Sequence, residues 1–511
     1  MNAPSSYRPP GTLDPSTALA PYRGIWNARK AAHLLRRAGF GGSPAEVATY
    51  ASLSMDAAVD RLVRFDSAGL PGGPELSDDR PNRQLMQIFA PDIKRLQQLN
   101  GPAGVTQPAM QPGAVPPAQP LAANPVIQQF VKARVRNTVA MQQWWIGRML
   151  SSPAPLQEKM TLFWHGHFTS AYQGKGITAQ DMLRQNQLYR SYALGNVHKL
   201  ALAVSQDPAM LKYLDNRGSR AEHPNENYAR ELMELFTLGI GNYTEQDIRE
   251  SARAFTGWTV GPGDEFVFNK RFHDEGTKTF LGRAGNFTGS DIVDIIFQQP
   301  AAAKWFATKL LGFFVYSDPE PQLVDALAAV IKKNNFEMQP VVSTLLRSQV
   351  FHSDRAYRAL VKSPTEFVVG SYKLFGLTQV ETPTLAAMRR MGQTLFLPPN
   401  VKGWDGGETW LNSGTVLTRE NFASAVCQNP EMMRSANWLT QDVSMQPKAV
   451  AARIVDNVLQ GDASPASRYK LEEYLGGAGT SALGMLSGEN LDERIRGATY
   501  LAMATPAYQL N

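Results

Sequence analysis

The stretch from His223 to Trp258, HPNENYARELMELFTLGIGNYTEQDIRESARAFTGW, leaves the backbone few paths to follow. Pro224 suits a first helical turn and Gly239 a left-handed C-terminal cap, so one helix is expected from about Asn225 to Leu238. Leu232, Leu235, Phe236 and Leu238 supply its burial stripe. Thr244 with Asp247 three residues on forms a capping-box pattern, Ile248, Ala252 and Phe255 share a face, and Gly257 closes a second helix. A connection of only Ile240 to Tyr243 predicts that the two helices pack side by side. Asn227, Arg230, Glu231 and Glu234 fall within a sector of roughly 100°, opposite the apolar residues. That polar face is either a solvated surface, with Arg230 paired to Glu226 and Glu234 at helical spacing, or the wall of a catalytic or metal-binding site.

The same punctuation recurs along the chain. AAHLLRRAGFG predicts a helix stopping at Gly39, with a second starting near Ser43-Pro44, and His33 reads as a packing residue. Helical periodicity runs from Val126 through Trp144, Trp145 and Leu150, and Pro153 and Pro155 restart the chain. Further helices are expected over Ala301–Val315, Pro321–Asn334, Gln339–Phe351, Ser363–Phe375, Thr382–Phe396 and Thr418–Asn429. Between Phe266 and Gly282, apolar and polar residues alternate around Asp274-Glu275-Gly276, which predicts a β-hairpin. The fold class is therefore mainly α, a large multi-helical domain with a small β-hairpin insertion. Its expected organisation is an extended, flexible tail over 1–24, a main helical domain over 25–429 and a C-terminal helical extension over 430–511. Within the domain lie a Pro/Gly-rich loop at 100–125, the hairpin at 265–282 and a Trp/Gly loop at 397–414.

Composition bounds the function. The net charge of +6 is spread over 511 residues without a block of like charge, so nucleic-acid binding is not indicated. Cys427 is the only cysteine, which excludes an internal disulfide and a thiolate metal cluster. No apolar run reaches the length of a membrane span. The N-terminal MNAPSSYRPPGTLDPSTALAPYRG lacks a secretory pattern, so the expected location is cytoplasmic, or periplasmic or exported if a signal has been removed.

Candidate chemistry centres on histidines and carboxylates. His165 and His167 stand about 200° apart if the backbone there is α-helical, so both reach one ion only if the chain departs from the helix at Gly166. The sharpest reading joins His165, His167 and His273 with Glu231 and Glu234 around a divalent metal, since imidazole with carboxylate suits zinc, iron or manganese. Asp274 is expected beside an imidazole, and Asn227 and Arg230 beside the carboxylates. Catalytic roles fall to Glu226, Glu231, Glu234, Arg230 and Asp274, and substrate binding to Trp404, Trp410 and Asn227. The alternative is a network that only holds helices together. Asp207, before Pro208, reads as a helix cap, whereas Asp215 is less constrained. The resulting functional expectation is a metal-dependent hydrolase or oxidoreductase. Its alternatives are a metal-free carboxylate enzyme such as a glycoside hydrolase, or a non-catalytic binding or assembly partner resting on Trp404, Trp410 and their loop. The substrate is open, and a protein partner fits as well.

Six pieces carry a family likeness: HLLRRAGFG, FWHGHFTS, DPAMLKYLDN, NENYARELMELFTLGIGNYTEQDIRESARAFTGW, FHDEGTKTFLG and LPPNVKGWDGGETWL. In this order, over about residues 30 to 425, the chain resembles the bacterial family catalogued as domain of unknown function 1800. The resemblance implies no particular chemistry, because the family's name assigns none. Family members often resemble exported proteins, which this N-terminus does not. No phosphate-binding loop, G-x-S-x-G elbow or H-E-x-x-H zinc helix is present.

Overall fold

The computed structural model describes residues 14–65, 71–80, 85, 124–442, 444–476 and 491–511. Residues 1–13 of the expected tail over 1–24, and most of the expected loop at 100–125, residues 100–123, lie outside them. Helices begin where short polar side chains satisfy free amides. Asn27 accepts from the Lys30 amide at 3.1 Å to start α1 (Ala28–Ala38). Ser43 and Glu46 form a capping box on α2 (Pro44–Ser52), and Ser54 caps α3 (Met55–Val63). His33 is buried, as expected of a packing residue, with Nε2 2.9 Å from the Phe351 carbonyl.

Helices α4 (Pro125–Ser151), α5 (Pro155–His167) and α6 (Ala179–Ser191) are bound together by one buried carboxylate. Glu158 of α5 accepts from Arg190 of α6 at 2.9 and 2.8 Å and from the Trp145 indole of α4 at 3.0 Å. Three charge-assisted or indole hydrogen bonds offset the cost of taking the carboxylate out of water.

The helix expected from Asn225 to Leu238 is present with a change of register. It runs as α7 (Glu226–Glu231) and continues as a π turn, Leu232–Thr237. The Leu238 amide reaches back five residues to the Met233 carbonyl at 2.9 Å, and Gly239 ends the helix at φ +77°. Thr244 and Asp247 cap α8 (Glu245–Ala254), which packs against α7 as the short connection requires. Ile248, Ala252 and Phe255 are buried.

Among the described residues the β structure is two antiparallel two-stranded ribbons. In the first, β1 (Trp258–Val260) pairs with β2 (Phe266–Phe268); in the second, β3 (Lys278–Phe280) pairs with β4 (Arg283–Gly285). The turn at Asp274–Gly276 therefore joins two ribbons rather than closing one hairpin. Arg253 explains the shift, because it binds both the Asp274 carboxylate and the Thr277 carbonyl and holds this segment on α8.

The later helices include α9 (Pro300–Phe314), α10 (Met338–Arg347), α11 (Pro364–Phe375) and α12 (Ser413–Gln428). The expected Ser363–Glu366 capping box opens α11. The helix expected to reach Phe396 stops at Arg390, before Gly392 at φ +100°. Two apolar clusters form the interior. α5 feeds both: Leu156, Met160, Phe163 and Trp164 enter the first and Leu162 the second. Residues 450–475 and 495–508, within the expected C-terminal extension, supply much of the second cluster beside α4 and α11.

The N-terminal helices dock on a distant one. Arg347 of α10 pairs with Asp56 at 3.0 Å and Asp60 at 2.7 Å, and Gln339 donates to the Val63 carbonyl at 3.0 Å. Residues 18–22, within the expected tail, run beside 347–350 through backbone hydrogen bonds.

Candidate functional site

α5 stays helical through Gly166, so His165 and His167 point to different sides, as their spacing dictates. His165 Nε2 accepts from the Phe396 amide at 3.1 Å, which puts its proton on Nδ1. Its ring lies 5.3 Å from that of Trp145 and 5.6 Å from that of Trp404. Burial pushes its pKa down to about 3. His167 Nε2 lies 2.9 Å from the Phe236 carbonyl and must donate to it. Burial, with Lys309 nearby, pushes this ring down to about 3 as well. His273 uses Nδ1 on the Thr256 carbonyl at 2.9 Å.

The carboxylates have their own partners. Glu234 accepts from the Tyr243 hydroxyl at 3.2 Å. Glu231 is half-buried; burial and then Glu234 raise its pKa, against Arg230. Arg230 is bidentate to Glu245 at 2.8 and 2.9 Å and reaches Glu226 at 3.5 Å, so the pairing partner from α8 replaces the expected Glu234. Asp274 sits against Arg253 at 2.7 and 3.1 Å rather than against His273, and that guanidinium holds its pKa below the usual carboxylate value. Asn227 is exposed and donates to the Leu214 carbonyl at 3.3 Å. Among the described residues, no three of His, Cys, Asp and Glu stand where they could hold a metal ion, so His165, His167, His273, Glu231 and Glu234 do not converge. The cause is visible in the geometry: the helix turns the first two histidines apart, and backbone groups occupy a nitrogen of each imidazole. Asp207 caps its helix as expected, accepting from the Met210 amide at 3.1 Å; burial pushes its pKa up to about 7. Asp215 takes a left-handed conformation, φ +59°, and pairs with Lys175 at 2.6 Å.

What the fold does bring together is a cleft of about 490 Å³ between the end of α5, the π turn, α9 and the 397–414 loop. The last carbonyls of the π turn have no partner within the helix. Those of Leu235 and Phe236 take the Trp305 indole N–H at 3.1 Å and His167, which docks the turn on α9 and α5. Opposite, the loop sits directly on α5. Gly403 has φ +87°, and a Cβ there would lie 2.5 Å from the Gly166 carbonyl oxygen, so only glycine permits the approach. That seat carries Trp404 and Trp410, both half-buried, into the cleft wall.

The cleft's apolar walls include Phe163, Phe313 and Leu235; its polar groups include His167, Gln393 and Lys309. Glu366 is half-buried and paired with Lys159, and Lys402 pairs with Asp405 at 2.8 Å. Lys309 has no ion-pair partner among the described residues. Its Nζ lies 4.4 Å above the Trp305 ring, and burial, then Lys402, lowers its pKa.

Of the residues singled out by sequence, Trp404, Trp410 and His167 line this cleft and His165 backs Trp404. Glu226, Asn227, Arg230, Glu231, Glu234, His273 and Asp274 are not among its lining residues. Lys309 and Gln393 were missed. For Lys309 a signal existed: Trp305 and Lys309 are four residues apart, the spacing that brings a cation onto an aromatic face of a helix.

Comparison with known proteins gives one family model, described as protein of unknown function (DUF1800), which matches residues 33–510. No curated protein and no solved structure matches the chain.

Proposed function

Because the chain belongs to the DUF1800 family of proteins of unknown function, whose model matches residues 33–510 and assigns no activity, we propose a function from the cleft alone: the protein binds a small organic molecule. The observation that carries this reading is the pair of half-buried indoles, Trp404 and Trp410, facing one cleft of about 490 Å³. A concave, largely apolar site of this size suits a drug-sized ligand, and a ring or other flat apolar face fits against indole. Gly403 supports the reading too, since it fixes the loop that presents both indoles against a helix end and keeps the site formed before a ligand arrives.

The readings as a metal-dependent hydrolase or oxidoreductase, or as a glycoside hydrolase acting through Glu231 or Glu234, draw less support. Each needs its imidazoles or carboxylates in a shared cleft; His167 lines this one with its N–H given to the Phe236 carbonyl, whereas Glu231, Glu234, His273 and Asp274 are not among the lining residues. The binding reading is tested with N-phenyl-1-naphthylamine, a neutral fluorophore small enough for the cleft. Saturable binding is expected, weakened about tenfold in Trp410→Ala, a loss of about 1.4 kcal/mol. No saturable binding to the parent, or an affinity equal to the parent's in both Trp404→Ala and Trp410→Ala, would overturn it.

A further inference from the structure

Charge singles out one group in the cleft. Lys402 is matched by Asp405 at 2.8 Å, Glu366 is matched by Lys159, and His167 spends its N–H on the Phe236 carbonyl. Lys309 alone brings a charge that no neighbouring carboxylate among the described residues balances. Its amino group is held at 4.4 Å over Trp305, on the wall facing the loop that carries Trp404 and Trp410. We propose, building on the cleft reading above, that this site takes a ring-bearing organic monoanion, an aromatic carboxylate or sulfonate, with its anionic group on Lys309 and its ring against the indoles.

The reasoning is one of desolvation. An ammonium partly removed from water without a counter-ion is disfavoured, and burial is the first cause that lowers the Lys309 pKa, with repulsion from Lys402 second. An anion arriving at Nζ supplies the missing charge and removes that penalty, so part of its affinity comes from relieving a cost already present in the empty cleft. A neutral ligand of the same shape gains only the stacking and burial terms. A dianion brings more charge than the single unmatched lysine balances. The ring and the charge are both needed, because the apolar walls reject a small hydrated anion and the lysine discriminates among aromatic ligands.

The groups facing Lys309 fix the pH behaviour. They are Trp305 on its own helix, His167 from α5, Lys402 and Asp405 from the loop, and Glu366 from α11, which is taken by Lys159. His167 is already neutral near pH 7, with its pKa at about 3, so the group that titrates on the alkaline side is Lys309. Anion preference is therefore present below the lowered pKa of Lys309 and is lost as pH rises through it.

The test compares 8-anilinonaphthalene-1-sulfonate with N-phenyl-1-naphthylamine, the same ring system with and without the charge, on the full chain. The parent is expected to bind the sulfonate about tenfold tighter than the neutral amine at pH 7, and to lose that preference as pH rises towards the ordinary lysine value of 10.5. Lys309→Met should bring the ratio of the two affinities, measured on the same variant, to about one, and Lys309→Arg should keep the parent's ratio. Far-ultraviolet circular dichroism identifies a variant that fails to fold, in which case Lys309→Arg and the pH series of the parent carry the decision. If the neutral probe binds but the sulfonate has no advantage, or Lys309→Met keeps that advantage, this inference fails and the cleft reading stands. If neither probe binds the parent, both fail.

Discussion

Gly403→Ala perturbs the contact on which the cleft depends, and its size can be worked from two terms. An L-residue held near the left-handed φ of +87° costs about 1–2 kcal/mol. The added Cβ would stand 2.5 Å from the Gly166 carbonyl oxygen, which belongs to a helix backbone and not to a side chain that can swing away. Forcing that overlap apart costs about 1–3 kcal/mol more, giving a total of about 2–5 kcal/mol. The strain leaves by whichever route is cheaper, unfolding the chain or lifting the loop from α5. Urea unfolding followed by circular dichroism reads the first route, and naphthylamine affinity reads the second. The partner glycine gives the opposite expectation. A Cβ on Gly166 would meet nothing within 4 Å, so Gly166→Ala should leave stability unchanged or raise it by up to about 1 kcal/mol through helix propensity. A Gly403→Ala protein with both the parent's urea midpoint and the parent's probe affinity would refute the argument.

Three other outcomes follow from the same geometry. Glu158→Ala should destabilise by about 3–5 kcal/mol, because it leaves Arg190 buried without its carboxylate; a shift in urea stability below about 1 kcal/mol would contradict the role given to that residue. His165 and His167, held at about 3, take up protons in the unfolded chain before they do in the folded one. Their contribution is thus full above about pH 6.5 and is lost as pH falls towards 3, at up to about 1.4 kcal/mol per pH unit for each ring. In a urea series between about pH 7 and 4.5, His165→Gln should flatten that slope by about one such increment; a slope equal to the parent's would count against the burial assigned to this ring. Elemental analysis of protein purified without a histidine tag should find less than one metal ion per chain, unchanged in His165→Ala and Glu231→Ala; a full equivalent that disappears in both would reinstate the divalent-metal reading.

Where a local rule governs, the sequence was legible. Gly239 ends one helix, though Pro224 precedes its cap Asn225 instead of opening the first turn; Thr244–Asp247 and Ser363–Glu366 form the capping boxes their spacing promised, and the Pro/Gly content of 397–414 marks a loop. The about 200° between His165 and His167 also held, and it argues against the shared metal ion that the same two residues suggested. What stayed hidden depends on distant partners. The π register of Leu232–Thr237 leaves no trace in a periodicity of apolar residues, and its docking relies on Trp305 and His167 from two other helices. Arg230 had acids available at helical spacing, yet it chose Glu245 from the next helix because that carboxylate meets the guanidinium edge-on with two bonds. Lys309 looks like an ordinary solubilising charge until the folded chain shows that no acid answers it.

The ion pairs from Arg347 to Asp56 and Asp60, and the bond from Gln339 to Val63, join residues 276 to 291 positions apart. On a ribosome adding about 5–20 residues per second, α3 emerges roughly 15–60 seconds before α10, on which it packs, exists. During that interval Val59 and Leu62 of α3, buried in the finished molecule, lack the part of their native surroundings that α10 supplies. Synthesis, rather than equilibrium stability, is then the stage at which this chain is most exposed to aggregation, and slowing translation lengthens the hazard instead of relieving it.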